Sequence, residues 1–147
     1  MDSTTSLLLS IHLAATAAMV GLIWFVQLVH YPLFARVGAA EFVDYEAAHT
    51  RLTAYVVGPA MAVEGVAALI IAGWFRAQAG LGLTLAGLVL LALVHVSTVS
   101  LQVPAHRRLA SGFDDAVAKR LVRSNWIRTA GWTARGGVAV AMLTVAT

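Results

Sequence analysis

The sequence predicts an all-α integral membrane protein, a single domain in which four transmembrane helices form an up-down bundle with both termini on the same side. Of its 147 residues, 60% are hydrophobic and 12% are charged, whereas soluble domains have about 45–50% and about 25%. The mean hydropathy is +0.82. Residues 3–35 and 77–105 contain no aspartate, glutamate, lysine or arginine. A soluble domain of this size has no interior that could bury two such segments.

Four apolar segments are the predicted spans. They cover about residues 7–28, 52–75, 81–103 and 125–146. Each is long enough to cross about 30 Å of hydrocarbon at about 1.5 Å per residue. The fourth span is the weakest, because it contains Arg128 and Arg135.

Prolines set the expected ends of two spans. The first span is expected to end at His30-Tyr31-Pro32 and the third at Pro104, because proline lacks an amide hydrogen and disfavours a continuing helix. The first span is predicted to be a retained helix rather than a cleaved signal peptide, since the residues before it include Asp2 and no lysine or arginine.

The basic residues predict the orientation. The two long loops, at residues 31–51 and 104–128, contain Arg36, Arg51, Arg107, Arg108, Lys119, Arg120, Arg123 and Arg128. The opposite side holds only Arg76, and Arg135 lies inside a span. The positive-inside rule therefore puts the long loops in the cytoplasm and both termini outside the inner (plasma) membrane. Each long loop is expected to carry a short amphipathic helix, at residues 39–51 and 113–123.

Composition also limits the partners and the chemistry. The formal net charge is +3. Because the basic residues lie beside apolar spans, their expected partners are the anionic headgroups of the lipid bilayer rather than nucleic acid. The absence of cysteine excludes disulfides, thiolate metal sites and a thiol nucleophile. A hydrophobic small molecule is the expected ligand, and assembly into a homo-oligomer remains open.

Histidines recur at the cytoplasmic boundary of successive helices. His30 ends the first span, His49 precedes the second, His106 follows the third, and Asn125 opens the fourth. Glu46 lies three residues before His49, and a Glu-x-x-His pair on one helix face is used in the metal centres of four-helix proteins. Imidazole and carboxylate ligands without thiolate suit iron, zinc, manganese or copper(II). The hypothesis is a metal site, with iron or copper favoured; the alternative is interfacial histidines that need only water and headgroups.

A second polar layer is predicted near the middle of the membrane. Glu64 and Arg135 lie at matched depth in the second and fourth spans, which predicts a buried ion pair. The alternative is that Glu64 carries protons or binds metal. His95 also lies near the middle of its span. Its spacing to Gln102 and His106 predicts that the three residues lie on one face of a regular helix.

These motifs resemble a known family. The sequences His30-Tyr31-Pro32-Leu33 and Asn125-Trp126-Ile127-Arg128-Thr129, together with Glu64 inside the second span, are similar to the small four-helix membrane proteins grouped with the anthrone oxygenases. The resemblance implies an oxidoreductase, of oxygenase type, that acts on a small hydrophobic, phenolic or quinone-like substrate. It implies a site at His30, His49, His106 and Asn125. The expected catalytic residues are Glu64, Asn125 and Arg128.

A second resemblance gives an alternative. His12, Gly21-Leu22 and the later Tyr31-Pro32-Leu33 are similar to the first helix of four-helix protoporphyrinogen oxidases, which would imply haem bound at His12. The basic residue that this family carries in its third helix is absent here, and His95 is the nearest substitute. A third alternative is not enzymatic. It is a proton-coupled transporter or an assembly subunit that uses Glu64, His95 and Arg135.

Overall fold

The structure, a computed structural model, describes residues 2–146, and that part of the chain is helical without any strand. Four long helical segments follow one another: α1 (Ser3–Arg36), α2 (Phe42–Ala79), α3 (Leu81–Leu109) and α4 (Asp115–Ala146). By length and composition, α1, α2 and α3 could each cross a membrane. Helix α4 is not among them; it is the segment that contains the buried Arg128 and Arg135.

Helices α1 and α3 continue past their prolines, so the expected helix ends at Pro32 and Pro104 are wrong. In α1, a π-helical turn at Val26–His30 precedes Pro32, and the helix reaches Arg36. In α3, a π-helical turn at Thr98–Gln102 precedes Pro104, and the helix reaches Leu109. The wider π turn relieves the clash of the proline ring with the preceding turn and does not need the missing amide hydrogen.

The amphipathic helices expected at residues 39–51 and 113–123 are not separate elements. Helix α2 begins at Phe42 and α4 begins at Asp115, and both run unbroken into the apolar segments. Asp114 caps α4, because its Oδ1 accepts a hydrogen bond of 3.1 Å from the backbone amide of Val117. The polar residues of these loops therefore lie on rigid helix, in register with the apolar segments.

Three apolar clusters show how the helices run. One contains Leu9 near the start of α1 together with Ile71 near the end of α2 and Met142 near the end of α4. The opposite cluster joins Phe34 at the end of α1, Phe42 at the start of α2, Leu109 at the end of α3 and Leu121 near the start of α4. The third cluster contains Met19, Ile23, Val94 and Trp132. Helices that follow one another in the chain are therefore antiparallel.

Helix α4 has the most extensive contacts, mainly with α1 and α3, and α2 packs mainly on α1. Gly131 permits the close approach of α4 to α3, since a β-carbon there would lie 2.5 Å from Val94 Cγ1. Helices α2 and α3 are joined through Gly80, whose φ of +82° suits glycine. Contacts between α2 and α3 are otherwise sparse, and this leaves a cavity between them.

Candidate metal centre

Four side chains from three helices form what we call the histidine cluster: His30, Glu46, His49 and His106. His30 Nε2 lies 2.7 Å from His49 Nδ1. His106 Nδ1 lies 2.6 Å from Glu46 Oε1. The ring centroids are 4.6 Å apart for His30 and His49 and 5.2 Å apart for His49 and His106. The structure thus brings together the three histidines and the glutamate that the sequence singled out.

The course of the helices explains why these residues meet. His30 closes the π turn of α1, and Glu46 and His49 lie on one face of the first turns of α2. His106 lies beyond Pro104, on the part of α3 that continues after the second π turn. If α3 had ended at Pro104, no rigid element would hold His106 against Glu46.

Three members of the histidine cluster lie close enough together that they could hold a metal ion. Glu46, His49 and His106 each offer one ligand atom, and these atoms all lie within 4.8 Å of one another. Glu46 is fully buried, and its Oε2 has no hydrogen-bond partner among residues 2–146. A buried carboxylate oxygen without a donor is costly unless something else binds it. His30 contacts His49 but is not part of this group of three.

Tyr31 is a site residue that the sequence analysis did not single out. Its hydroxyl lies 3.0 Å from His106 Nε2, so both ring nitrogens of His106 have a partner. Thr53 Oγ1 lies 3.1 Å from His49 Nδ1. The sequence signal for Tyr31 was its place in the Tyr31-Pro32-Leu33 motif, which is part of both resemblances. Such outer partners fix the orientation of ligating imidazoles.

Asn125 lies in a separate hydrogen-bond network rather than beside the histidines. Its Nδ2 donates to Gln27 Oε1 over 3.0 Å, and its Oδ1 accepts from Arg128 Nη1 over 3.1 Å. Thr129 Oγ1 also donates to Gln27 Oε1, over 3.3 Å. Asn125, an expected catalytic residue, therefore contacts Arg128, which lies in the cavity wall, and makes no hydrogen bond to the histidine cluster among residues 2–146.

A cavity of about 560 Å³ lies between α2 and α3 and borders the histidine cluster. His49, His106, Tyr31 and Arg128 are polar residues in its wall. Val57, Met61 and Val103 are among its apolar residues. Cavities of about 300–1,000 Å³ with apolar walls and a few polar groups are typical of small-molecule sites. The candidate metal ligands thus lie beside a space that suits a small apolar molecule.

Glu64 and Arg135 contact each other in the second polar layer. Arg135 Nε lies 2.6 Å from Glu64 Oε1, and both side chains are buried. Trp132 Nε1 donates to Glu64 Oε2 over 3.1 Å, and Thr16 donates to Oε1 over 3.3 Å. Arg135 Nη1 donates to the backbone carbonyl of Gly87. Both Glu64 oxygens are therefore occupied, which favours a structural role over metal binding.

His12, rather than His95, joins this second layer. His12 Nε2 lies 3.4 Å from Arg135 Nη2, whereas His95 Nδ1 is 2.9 Å from the carbonyl oxygen of Leu91 in its own helix. The π turn at Thr98–Gln102 lies between His95 and His106. It adds about one residue to the turn and so rotates the following face by roughly 100°. The shared face is therefore wrong for His95, whereas Gln102 and His106 both lie in the wall of the cavity between α2 and α3.

The surroundings of His12 do not suit haem. The cavity that it lines has a volume of only about 10 Å³, room for about one water molecule. His12 is buried and directed at the guanidinium of Arg135. A porphyrin could reach His12 only if α1 and α4 separated, which disfavours haem binding at this position.

Comparison of the chain with protein-family models, with curated proteins and with solved structures found no match.

Proposed function

We propose that this chain is a membrane-embedded oxidoreductase, a metal-dependent oxygenase or oxidase that acts on a small hydrophobic substrate of phenolic or quinone-like type. In this proposal the four helices form an up-down bundle in the inner (plasma) membrane, with both termini outside and the histidine cluster near the cytoplasmic face. The observation that carries the proposal is the position of Glu46, His49 and His106, three convergent ligands, in or beside the wall of an apolar cavity.

The donor set supports the choice of metal. Two imidazoles and one carboxylate, in a chain without cysteine, suit iron or copper(II) rather than a thiolate-bound metal. Three protein ligands also leave coordination positions free, as in catalytic metal sites. When bound, such an ion would supply the redox chemistry that none of the side chains can supply.

The chain's own residues have distinct roles in this proposal. Glu46 is the buried anion that offsets the positive charge of the ion, and Tyr31 holds the ring of His106. Arg128 lies in the wall of the cavity, where it can contact a ligand, and Asn125 positions Arg128. Glu64 supports the helices through Arg135 and does not act on the substrate.

The proposal is tested by the metal content of the protein purified in non-ionic detergent, measured by elemental analysis. We expect about one iron or copper ion per chain, and we expect loss of the ion in His49→Ala and His106→Ala. His95→Ala is the matched control on α3, because His95 bonds only within its own helix in the contacts described above. Absence of stoichiometric metal from the unaltered protein, or its retention in both site variants, would contradict the proposal.

A further inference from the structure

Two buried arginines on α4 have different surroundings. Arg135 is paired with Glu64 at 2.6 Å. Arg128, which is 8% exposed, takes part in no ion pair among residues 2–146. Its Nη1 donates to the neutral amide of Asn125, and its guanidinium also interacts with the neutral Tyr31 hydroxyl. Its guanidinium carbon lies 5.2 Å from the ring centroid of Trp132, and its Nε has no hydrogen-bond partner in the same range.

An unpaired buried arginine needs an explanation. Arginine stays protonated in proteins, so it cannot avoid the cost of burial by losing its charge. A buried charge without a counter-charge is strongly unfavourable, above all at membrane depth. Arg128 nevertheless belongs to the wall of the cavity between α2 and α3. An anion bound in that cavity would provide the counter-charge that the described protein residues do not.

The cavity has two kinds of wall. Its polar residues include the buried Arg128 and the exposed Arg107 as well as Tyr31, His49 and His106. Val57 and Met61 belong to the apolar wall that follows α2 into the predicted second span. A ligand that matches both kinds of wall has one anionic oxygen group and an apolar body. Asn125 occupies Nη1 of Arg128, and Nε is buried without a partner among residues 2–146. The oxygen group of the ligand would contact the part of the guanidinium that lies in the cavity wall.

We propose that Arg128 is the anion-binding residue of this cavity, and that its ligand is a small amphipathic anion, a carboxylate or phenolate on an apolar ring body. That this ligand is the substrate rests on the proposed function, because the cavity borders the candidate metal ligands. The binding of the anion by Arg128 does not require a metal. A charge-assisted hydrogen bond to arginine in a buried site is stronger than a neutral one and gives selectivity for the charged form of the ligand.

The test uses 2-naphthoate and its neutral counterpart 2-naphthamide as probes. Their binding to the chelator-treated protein in non-ionic detergent is measured by isothermal titration calorimetry, with detergent alone as the blank. We expect 2-naphthoate to bind at least about tenfold more tightly than 2-naphthamide. Arg128→Gln should remove this preference. Arg123→Gln, which alters an exposed arginine five residues earlier on α4, should keep it.

A folding control separates a binding role from a structural one. Because Arg128 has no ion-pair partner to lose, Arg128→Gln should keep or raise the melting temperature of the ligand-free protein, whereas Arg135→Gln should lower it. The proposal is overturned if the unaltered protein binds both probes equally, if Arg128→Gln keeps the preference, or if Arg128→Gln unfolds the protein as Arg135→Gln does. Metal content, measured on the same preparation before chelation, reports separately on the proposed function.

Discussion

Removal of one partner from the Glu64–Arg135 pair should destabilise the protein strongly. Glu64→Gln leaves the guanidinium of Arg135 buried, with the ring of His12 and a backbone carbonyl as its remaining partners described above. Arg135→Gln leaves the carboxylate of Glu64 with only the neutral donors Trp132 and Thr16. Both side chains are at most 1% exposed, so each single change should cost about 3–5 kcal/mol.

The double variant Glu64→Gln/Arg135→Gln tests whether the two charges depend on each other. The double variant buries neither charge. Its loss in free energy of unfolding should therefore be about 2–3 kcal/mol smaller than the sum of the losses in the two single variants. The assay is equilibrium unfolding in mixed micelles with increasing denaturing detergent. Glu41→Gln, at an exposed glutamate beside the start of α2, is the control. Single variants as stable as the unaltered protein, or additive costs, would refute the reasoning.

Two further predictions concern packing and the histidine cluster. Gly131→Ala should lower the free energy of unfolding by about 1–3 kcal/mol, because the new β-carbon would lie 2.5 Å from Val94 Cγ1. Gly137 has open space around it, so Gly137→Ala should leave the free energy of unfolding unchanged or raise it in the same assay. Tyr31→Phe removes the hydroxyl that holds His106 and should weaken metal affinity about 10- to 100-fold, measured by competition with a chelator. Tyr55→Phe, at an exposed tyrosine, is the control and should keep the metal affinity unchanged. Equal metal affinities for the two variants would exclude this role for Tyr31.

The residues of the site were more predictable than the helices that position them. Glu46 and His49 could be placed together because three residues separate them on one regular helix, and the depth of Glu64 in its span was enough to suggest Arg135 as its partner. Depth in a span depends on residue number alone. It is therefore insensitive to local changes of helix geometry.

The direction of a side chain around its helix was less predictable. Regular α-helix geometry predicts that α1 ends at Pro32 and that His95 shares a face with His106. In the structure, α1 and α3 each contain a π turn before the proline, continue past it, and have the following residues rotated about the helix axis. No residue pattern in the sequence marked these turns. The contacts of Tyr31 depend on the π turn before it, so they could be found only in the folded chain. Arg128 lies on a regular helix, and its lack of an ion-pair partner within residues 2–146 depends instead on the residues that the neighbouring helices place around it.

X-ray absorption spectroscopy at the iron or copper edge of the purified protein tests the central claim most directly, because it reports the atoms bound to the metal. We predict nitrogen and oxygen neighbours at roughly 2 Å, with the outer-shell scattering of about two imidazole rings and no sulfur. His106→Ala should remove one imidazole contribution from any metal that remains. A spectrum without imidazole scattering, or one dominated by a porphyrin, would contradict a centre built from Glu46, His49 and His106.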